Sequence, residues 1–181
     1  METRLADGSN NNVPLLDMPL ENDWVLLSNY NDRSLVRNAF ASHLARAMGQ
    51  YAPRMQLCEV LLDSNYRGIY LLGERIDRNN GRVAIARLDS TENSGDDLTG
   101  GYILKIDWNS SPGWNSQFSQ PNSPNVYTYF QLEYPKWDEI HPAQAIYIRD
   151  FVDGFETALA GAGFQDTAIG WRHFADEKSF I

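Results

Sequence analysis

The chain has 181 residues, of which 43% are hydrophobic and 22% charged, and its formal net charge is -9. This length and composition are typical of a soluble globular domain or of a large part of one. Lys and Arg form no block and no apolar run approaches the ~18 residues of a membrane span, so we expect neither nucleic-acid binding nor membrane insertion. Cys58 is the only cysteine, which excludes an intramolecular disulfide and a cysteine-based zinc site.

The first 30 residues are predicted to form short strands joined by turns. Apolar residues alternate or cluster in residues 1–5 and 13–16, and a turn signal occupies residues 7–10. A nearly continuous apolar run begins at Trp24 and extends to Tyr30, which is typical of a strand buried on both faces.

A helix is predicted over residues 33–48. Asp32 is the expected N-cap, because its carboxylate can accept hydrogen bonds from the free amides of the first turn. Gly49 is the expected end of the helix. One face is apolar, formed by Leu35, Ala39, Leu44 and Met48.

Strands and one more helix are predicted in the rest of the chain. Residues 54–62 and 67–72 flank turn residues and predict an antiparallel hairpin, and strands are expected at 102–107 and 126–134. Residues 89–101 and 108–125 are rich in polar and turn-forming residues and are predicted to be irregular surface segments. A second helix is predicted from Pro142 to Gly161. The fold class that follows is α+β, with a mostly antiparallel twisted sheet and packed helices.

Known metal and nucleophile signatures are missing from the sequence. The histidines lie far apart, at 43, 141 and 173, and Asp96–Asp97 is better explained as a solvated turn than as a calcium site. No Walker loop, G-x-G-x-x-G loop or G-x-S-x-G elbow occurs. We therefore expect no metal site within this chain.

Charged residues inside apolar elements are the most informative feature. Arg37 lies in the predicted helix, Glu74 follows a hairpin strand and Lys105 lies within the 102–107 strand. A buried charge needs a partner, since unpaired burial is costly. Each residue could simply face solvent. The sharper hypothesis is that the three converge on one cleft and bind a cofactor.

Three motifs follow one another along the chain. Residues 24–38 (WVLLSNYNDRSLVRN) contain W-x-L and D-x-(S/T)-x-x-R-N, residues 67–77 (RGIYLLGERID) contain G-x-Y-x-x-x-E-x-I-D, and residues 100–107 (GGYILKID) contain G-G-Y at a predicted strand. These motifs resemble those of the CotH family of spore-coat-protein-H-like, atypical kinase-like domains. All three occur in the family's order.

The resemblance implies an atypical protein kinase that uses ATP and Mg²⁺ to phosphorylate secreted or coat proteins. It maps 1–107 to a small-lobe-like sheet and helix, 108–140 to a loop-rich insertion, and 141–181 to the helical start of a large lobe. The family's N-x-D and W-D-x-D segments are not found, so we expect the chain to end before them and to be inactive alone. A secreted or cell-envelope location is also implied.

The sequence departs from ordinary protein kinases because its third predicted strand has no lysine for the ATP phosphates. On the kinase mapping, Arg37 or Lys105 would supply that positive charge, and Glu74 falls near the hinge. The competing hypothesis is a non-catalytic extracellular or cell-surface binding module. In that case the aromatic, Asn-rich residues 108–134 would contact a protein or a glycan, unless they form an insertion packed by its own aromatic rings.

Overall fold

Two compact units make up the chain in a computed structural model that describes residues 1–179. They comprise Met1–Ala84 and Ile85–Ile181. Each unit holds one three-stranded antiparallel sheet and one α-helix. The predicted α+β class with antiparallel sheets is confirmed. The predicted division at residues 107 and 140 stays a prediction, and residues 180 and 181 of its last segment lie outside the described residues.

The sheet of the first unit consists of β1 (Trp24–Leu27), β2 (Met55–Leu62) and β3 (Asn65–Glu74) in the order β1-β3-β2. The hairpin predicted for β2 and β3 is confirmed. Asp63 and Ser64 form its turn, with φ of 50° and 63°. Positive φ at both central residues matches the twist of paired strands, which explains why two polar residues suffice to connect them.

The first 23 residues pack without forming strands, so the strands predicted at 1–5 and 13–16 are wrong. Only isolated bridges form there, such as Glu2 with Asp23 and Val13 with Glu21. Met18 from this segment is buried with Trp24 and Leu72 in the core of the unit. The segment therefore contributes a buried side chain to the core but no strand, because its backbone forms only isolated bridges and no continuous row of hydrogen bonds with a neighbouring strand.

Helix α1 (Arg37–Ala47) begins four residues later than predicted. Leu35 has φ of 62°, which interrupts a helix, and Asp32 reaches past it to accept a hydrogen bond from the Arg37 amide at 2.9 Å. The predicted end of the helix at Gly49 is confirmed. Gly49 has φ of 83° and its amide donates to the Arg46 carbonyl at 3.0 Å, as in a Schellman motif.

The second unit contains β4 (Ile103–Ile106), β5 (Gly113–Gln120) and β6 (Ser123–Tyr134) in the order β4-β6-β5. Residues 108–125 were expected to be irregular, and the presence of β5 corrects this. Trp114 and Ser116 alternate onto the buried face of β5, while its other residues are mostly exposed. The pattern was hidden because the second buried position of β5 carries Ser116, so the sequence lacks the apolar alternation that predicts a strand.

Helix α2 (Pro142–Ala160) matches its predicted range. A capping box begins it: the His141 ring accepts from the Ala143 amide, and the Gln144 side chain accepts from the His141 amide. Ile148 and Val152 of the helix form the core of the unit with Trp114 and Leu132. None of the helices described in residues 1–179 is long and apolar enough to cross a membrane.

Tyr102 makes the stability of the second unit depend on pH in the alkaline range. Its hydroxyl donates to the Leu98 carbonyl at 2.9 Å, and its ring stacks on Tyr147 at 6.0 Å. Burial, together with the neighbouring Tyr147, raises the pKa of Tyr102 to about 12. An unfolded tyrosine titrates near pH ~10, so the folded state resists losing the proton. The contribution to stability is full below about pH 10 and is lost as the pH rises towards about 12.

We therefore expect Tyr102→Phe to flatten the alkaline decrease in the free energy of unfolding, as measured by urea titration from about pH 9 to about pH 12. The control is Tyr127→Phe on the exposed part of β6, which should retain the wild-type slope. An unchanged slope in Tyr102→Phe would show that another group causes the alkaline loss.

Candidate functional site

Arg37 is the first residue of α1 and lies beside an open pocket of about 430 Å³. The pocket is formed by the segment between β1 and α1, whose lining residues run from Leu27 to Asp32 and include Arg37 and Asn38. The guanidinium lies 3.4 Å from Asp32 through Nε, and the side chain is 79% exposed. A cation that is this exposed beside a concave polar wall can approach an anionic group without losing its own ion pair.

Asp32 organises this segment. It accepts from the Ser34 amide at 3.0 Å, from the Ser34 hydroxyl at 2.6 Å and from the Arg37 amide at 2.9 Å. The Ser34 hydroxyl first, and then the Arg37 amide, hold the pKa of Asp32 below its usual range. Asn29 closes the other side, donating to the Leu35 carbonyl at 2.9 Å and accepting from Asn38 at 3.2 Å. These hydrogen bonds join residues that line the pocket to the segment that precedes α1.

Glu74 is the last residue of β3 and is buried, with 3% of its surface exposed. One carboxylate oxygen accepts from the Arg54 guanidinium, and the other accepts from the Arg54 amide at 2.8 Å. Arg54 also donates to the Gly81 carbonyl at 3.0 Å. This two-point contact joins the end of β3 to the residue before β2, and it makes Glu74 a structural carboxylate at the end of the sheet.

Arg82 is a second buried charge in this unit, and it was not singled out in the sequence. Its side chain is 3% exposed and lies over the Trp24 ring at 5.6 Å. It donates to the Asp23 carbonyl at 2.6 Å and to the Arg75 carbonyl at 3.0 Å. The sequence offered no signal for it, because Arg82 lies in a polar, turn-rich segment where an exposed arginine is usual.

Lys105 lies on β4, the edge strand of the second sheet, opposite Gln131 of β6. Its ammonium is 3.5 Å from Glu133, and the side chain is 32% exposed. Glu133 also pairs with Lys136. Lys105 therefore already has a carboxylate partner in its own unit, and a ligand could contact only the exposed third of its side chain.

Arg37 and Glu74 pair with different residues. Asp32 faces Arg37, while Glu74 binds Arg54. Arg37 and Glu74 belong to the first unit and Lys105 to the second. The hypothesis that the three form one cofactor site stays a prediction. Sequence reasoning missed Arg54. The available signal was its position directly before the apolar strand β2.

The described part of the chain also has no group of three or more His, Cys, Asp or Glu side chains positioned to hold a metal ion. Arg37, Glu74 and Lys105 each form an ion pair with a residue of opposite charge. Each of these pairs contains a single carboxylate, which is too few ligands for a metal site. Residues 1–179 therefore offer no set of ligands that fits a divalent metal.

Comparison with known families agrees with the motifs. The sequence model of the family described as CotH kinase protein matches residues 4–168, a range that covers both sheets and both helices. The match defines an α+β protein of the kinase-like class. The chain belongs to the CotH kinase family. Searches of curated proteins and of solved structures returned no match.

Proposed function

We propose that this chain is the nucleotide-binding portion of a CotH-type protein kinase domain, which with ATP and Mg²⁺ phosphorylates secreted or coat proteins. The observation that carries the proposal is the family match over residues 4–168. The match includes the two segments that contain Arg37 and Glu74 and the strand that contains Lys105.

The geometry around Arg37 supports a role in holding phosphate. Phosphoryl transfer depends mainly on positioning and on neutralising charge, and arginine suits phosphate because its planar donors form paired hydrogen bonds. Arg37 has an exposed guanidinium beside a pocket that Asp32 and Asn29 hold in shape. Lys105 is the alternative phosphate contact.

Replacing Arg37 by alanine should weaken ATP binding roughly 10- to 100-fold, because hydrogen bonds to charged groups contribute about 1.5–3 kcal/mol. The measurement is isothermal titration of the chain with ATP in the presence of Mg²⁺. Arg33→Ala is the matched control, since Arg33 is an exposed arginine four residues before Arg37 and does not line the pocket. Lys105→Ala, measured in parallel, shows which of the two cations contacts phosphate.

If Arg37→Ala and Lys105→Ala both bind ATP as the wild type does, the assignment of the phosphate contact fails. If the unaltered chain binds no ATP at all, the nucleotide-binding proposal itself fails. Incubation of the chain with radiolabelled ATP and a generic protein acceptor tests for transfer. Turnover abolished by a substitution within residues 1–179 would place the catalytic residues inside this chain, contrary to the expectation that it is inactive alone.

One observation favours the alternative, a non-catalytic extracellular or cell-surface binding module. Trp108 is 90% exposed, and the loop that carries it is held by the buried Gln131. An exposed indole on a fixed loop is a common anchor for a partner. Trp114 and Phe130 of the same segment instead pack against each other at 5.8 Å. Glycan-array and protein-array binding that is lost in Trp108→Ala, without ATP binding, would support the alternative.

A further inference from the structure

The outer face of α1 carries an apolar stripe that the described residues of its own unit leave partly exposed. Its members are spaced four residues apart and are 43%, 65%, 48% and 58% exposed: Val36, Phe40, Leu44 and Met48. Residues at this spacing form one continuous ridge along a helix. The opposite face is the one that packs, since Ser42 is buried and donates to the Pro53 carbonyl. The stripe is therefore a second apolar face of the helix, which points away from the face that holds Ser42.

Basic residues predominate around the stripe, with Asp32, the partner of Arg37, at its beginning. No Asp or Glu occurs between Asp32 and Glu59, whereas Arg33, Arg37 and Arg46 all lie there, in a chain whose net charge is -9. Arg33, Arg37 and His43 are exposed along the helix or just before it. A locally basic surface on an acidic protein attracts an acidic partner, because complementary charge guides association and excludes wrong partners.

We propose that the α1 stripe (Val36, Phe40, Leu44 and Met48) is a docking site for an acidic amphipathic helix of a separate protein. Ridges of residues four apart pack against one another between helices, so a partner helix with apolar residues at the same spacing fits the stripe. Acidic residues beside the partner's apolar face meet Arg33 and His43. This proposal is independent of nucleotide binding, and the test avoids Arg37.

Two other occupants fit the surface less well. A second copy of the chain would bring another α1, and its arginines would face those of the first. An anionic bilayer would attract the basic residues, but it would repel a chain of net charge -9, and four side chains bury little apolar area. A protein helix supplies apolar contacts and negative charge together, which is why the observations favour it.

The test is a display selection on the whole chain with a library of helix-forming peptides randomised along one face. We expect enriched peptides to carry apolar residues three or four positions apart with Asp or Glu beside them. A synthetic peptide of the enriched sequence should bind at least about 10-fold more weakly to the double variant Phe40→Ser/Leu44→Ser. Arg33→Glu should weaken binding by a smaller factor that vanishes at high salt.

The matched control is Leu61→Ser/Leu62→Ser, which removes two similarly exposed leucines from the end of β2 and should leave binding unchanged. Circular dichroism and thermal melting confirm that each variant is folded. The proposal is overturned if enriched peptides are neutral or basic, or if they bind Phe40→Ser/Leu44→Ser as well as the wild type. Phosphatidylserine vesicle binding, or dimerisation in sedimentation runs, that is lost in this double variant would assign the stripe to those occupants instead.

Discussion

Glu74→Gln is expected to lower the free energy of unfolding of the Met1–Ala84 unit by about 2–4 kcal/mol. Glu74 is buried, and both of its oxygens are bound by Arg54. Glutamine keeps the shape but removes the negative charge, so the Arg54 guanidinium loses the ion pair that compensates it. Breaking one partner of a buried pair costs more than the pair contributes, because the other charge is left without compensation.

Urea unfolding and hydrogen exchange over residues 54–74 measure this loss. The matched control is Glu59→Gln on β2, at an exposed side chain, which should change stability by no more than about 0.5 kcal/mol. Equal effects of the two substitutions would mean that the contact between Glu74 and Arg54 adds no stability. Loss of ATP binding in a Glu74→Gln protein that remains fully folded would instead support the predicted role in the cofactor site.

Gln131→Met should destabilise the second unit by about 3–4 kcal/mol. Gln131 is fully buried, and its Oε1 accepts from the amides and hydroxyls of Ser110 and Ser111. Its Nε2 donates to the carbonyls of Asp107 and Trp108 at 3.1 and 3.0 Å. Methionine has a similar shape but cannot make these hydrogen bonds, each of which contributes about 0.5–1.5 kcal/mol to stability.

Thermal unfolding gives the total effect, and hydrogen exchange at residues 107–111 gives the local one. Gln117→Met is the control, because Gln117 is exposed on β5. Unchanged protection of residues 107–111 in Gln131→Met would contradict the view that this glutamine holds the loop of Trp108. Binding measurements on the same variant separate the two proposed functions, since a module that uses Trp108 needs a fixed loop whereas ATP binding at Arg37 does not.

Local pattern was enough to predict several elements of the fold. The β2–β3 hairpin followed from two apolar runs around Asp63 and Ser64, and the end of α1 followed from Gly49. Helix α2 followed from its apolar spacing after Pro142. In these places the local preference and the tertiary environment agree, so neighbouring residues carry enough information. The family itself was evident from three motifs in order, each of which is contiguous in the chain.

Long-range pairing decided the rest. Residues 113–120 became a strand because β6 and α2 offered partners to Trp114 and Ser116, and no local preference indicated this. The start of α1 at Arg37 is the one local case, because the Asp32 carboxylate reaches the Arg37 amide across Leu35, five residues along the chain. The partner of Glu74 proved to be Arg54, which lies twenty residues away in sequence. A sequence shows which charges need compensation, but only the packed sheet determines which opposite charge stands within reach.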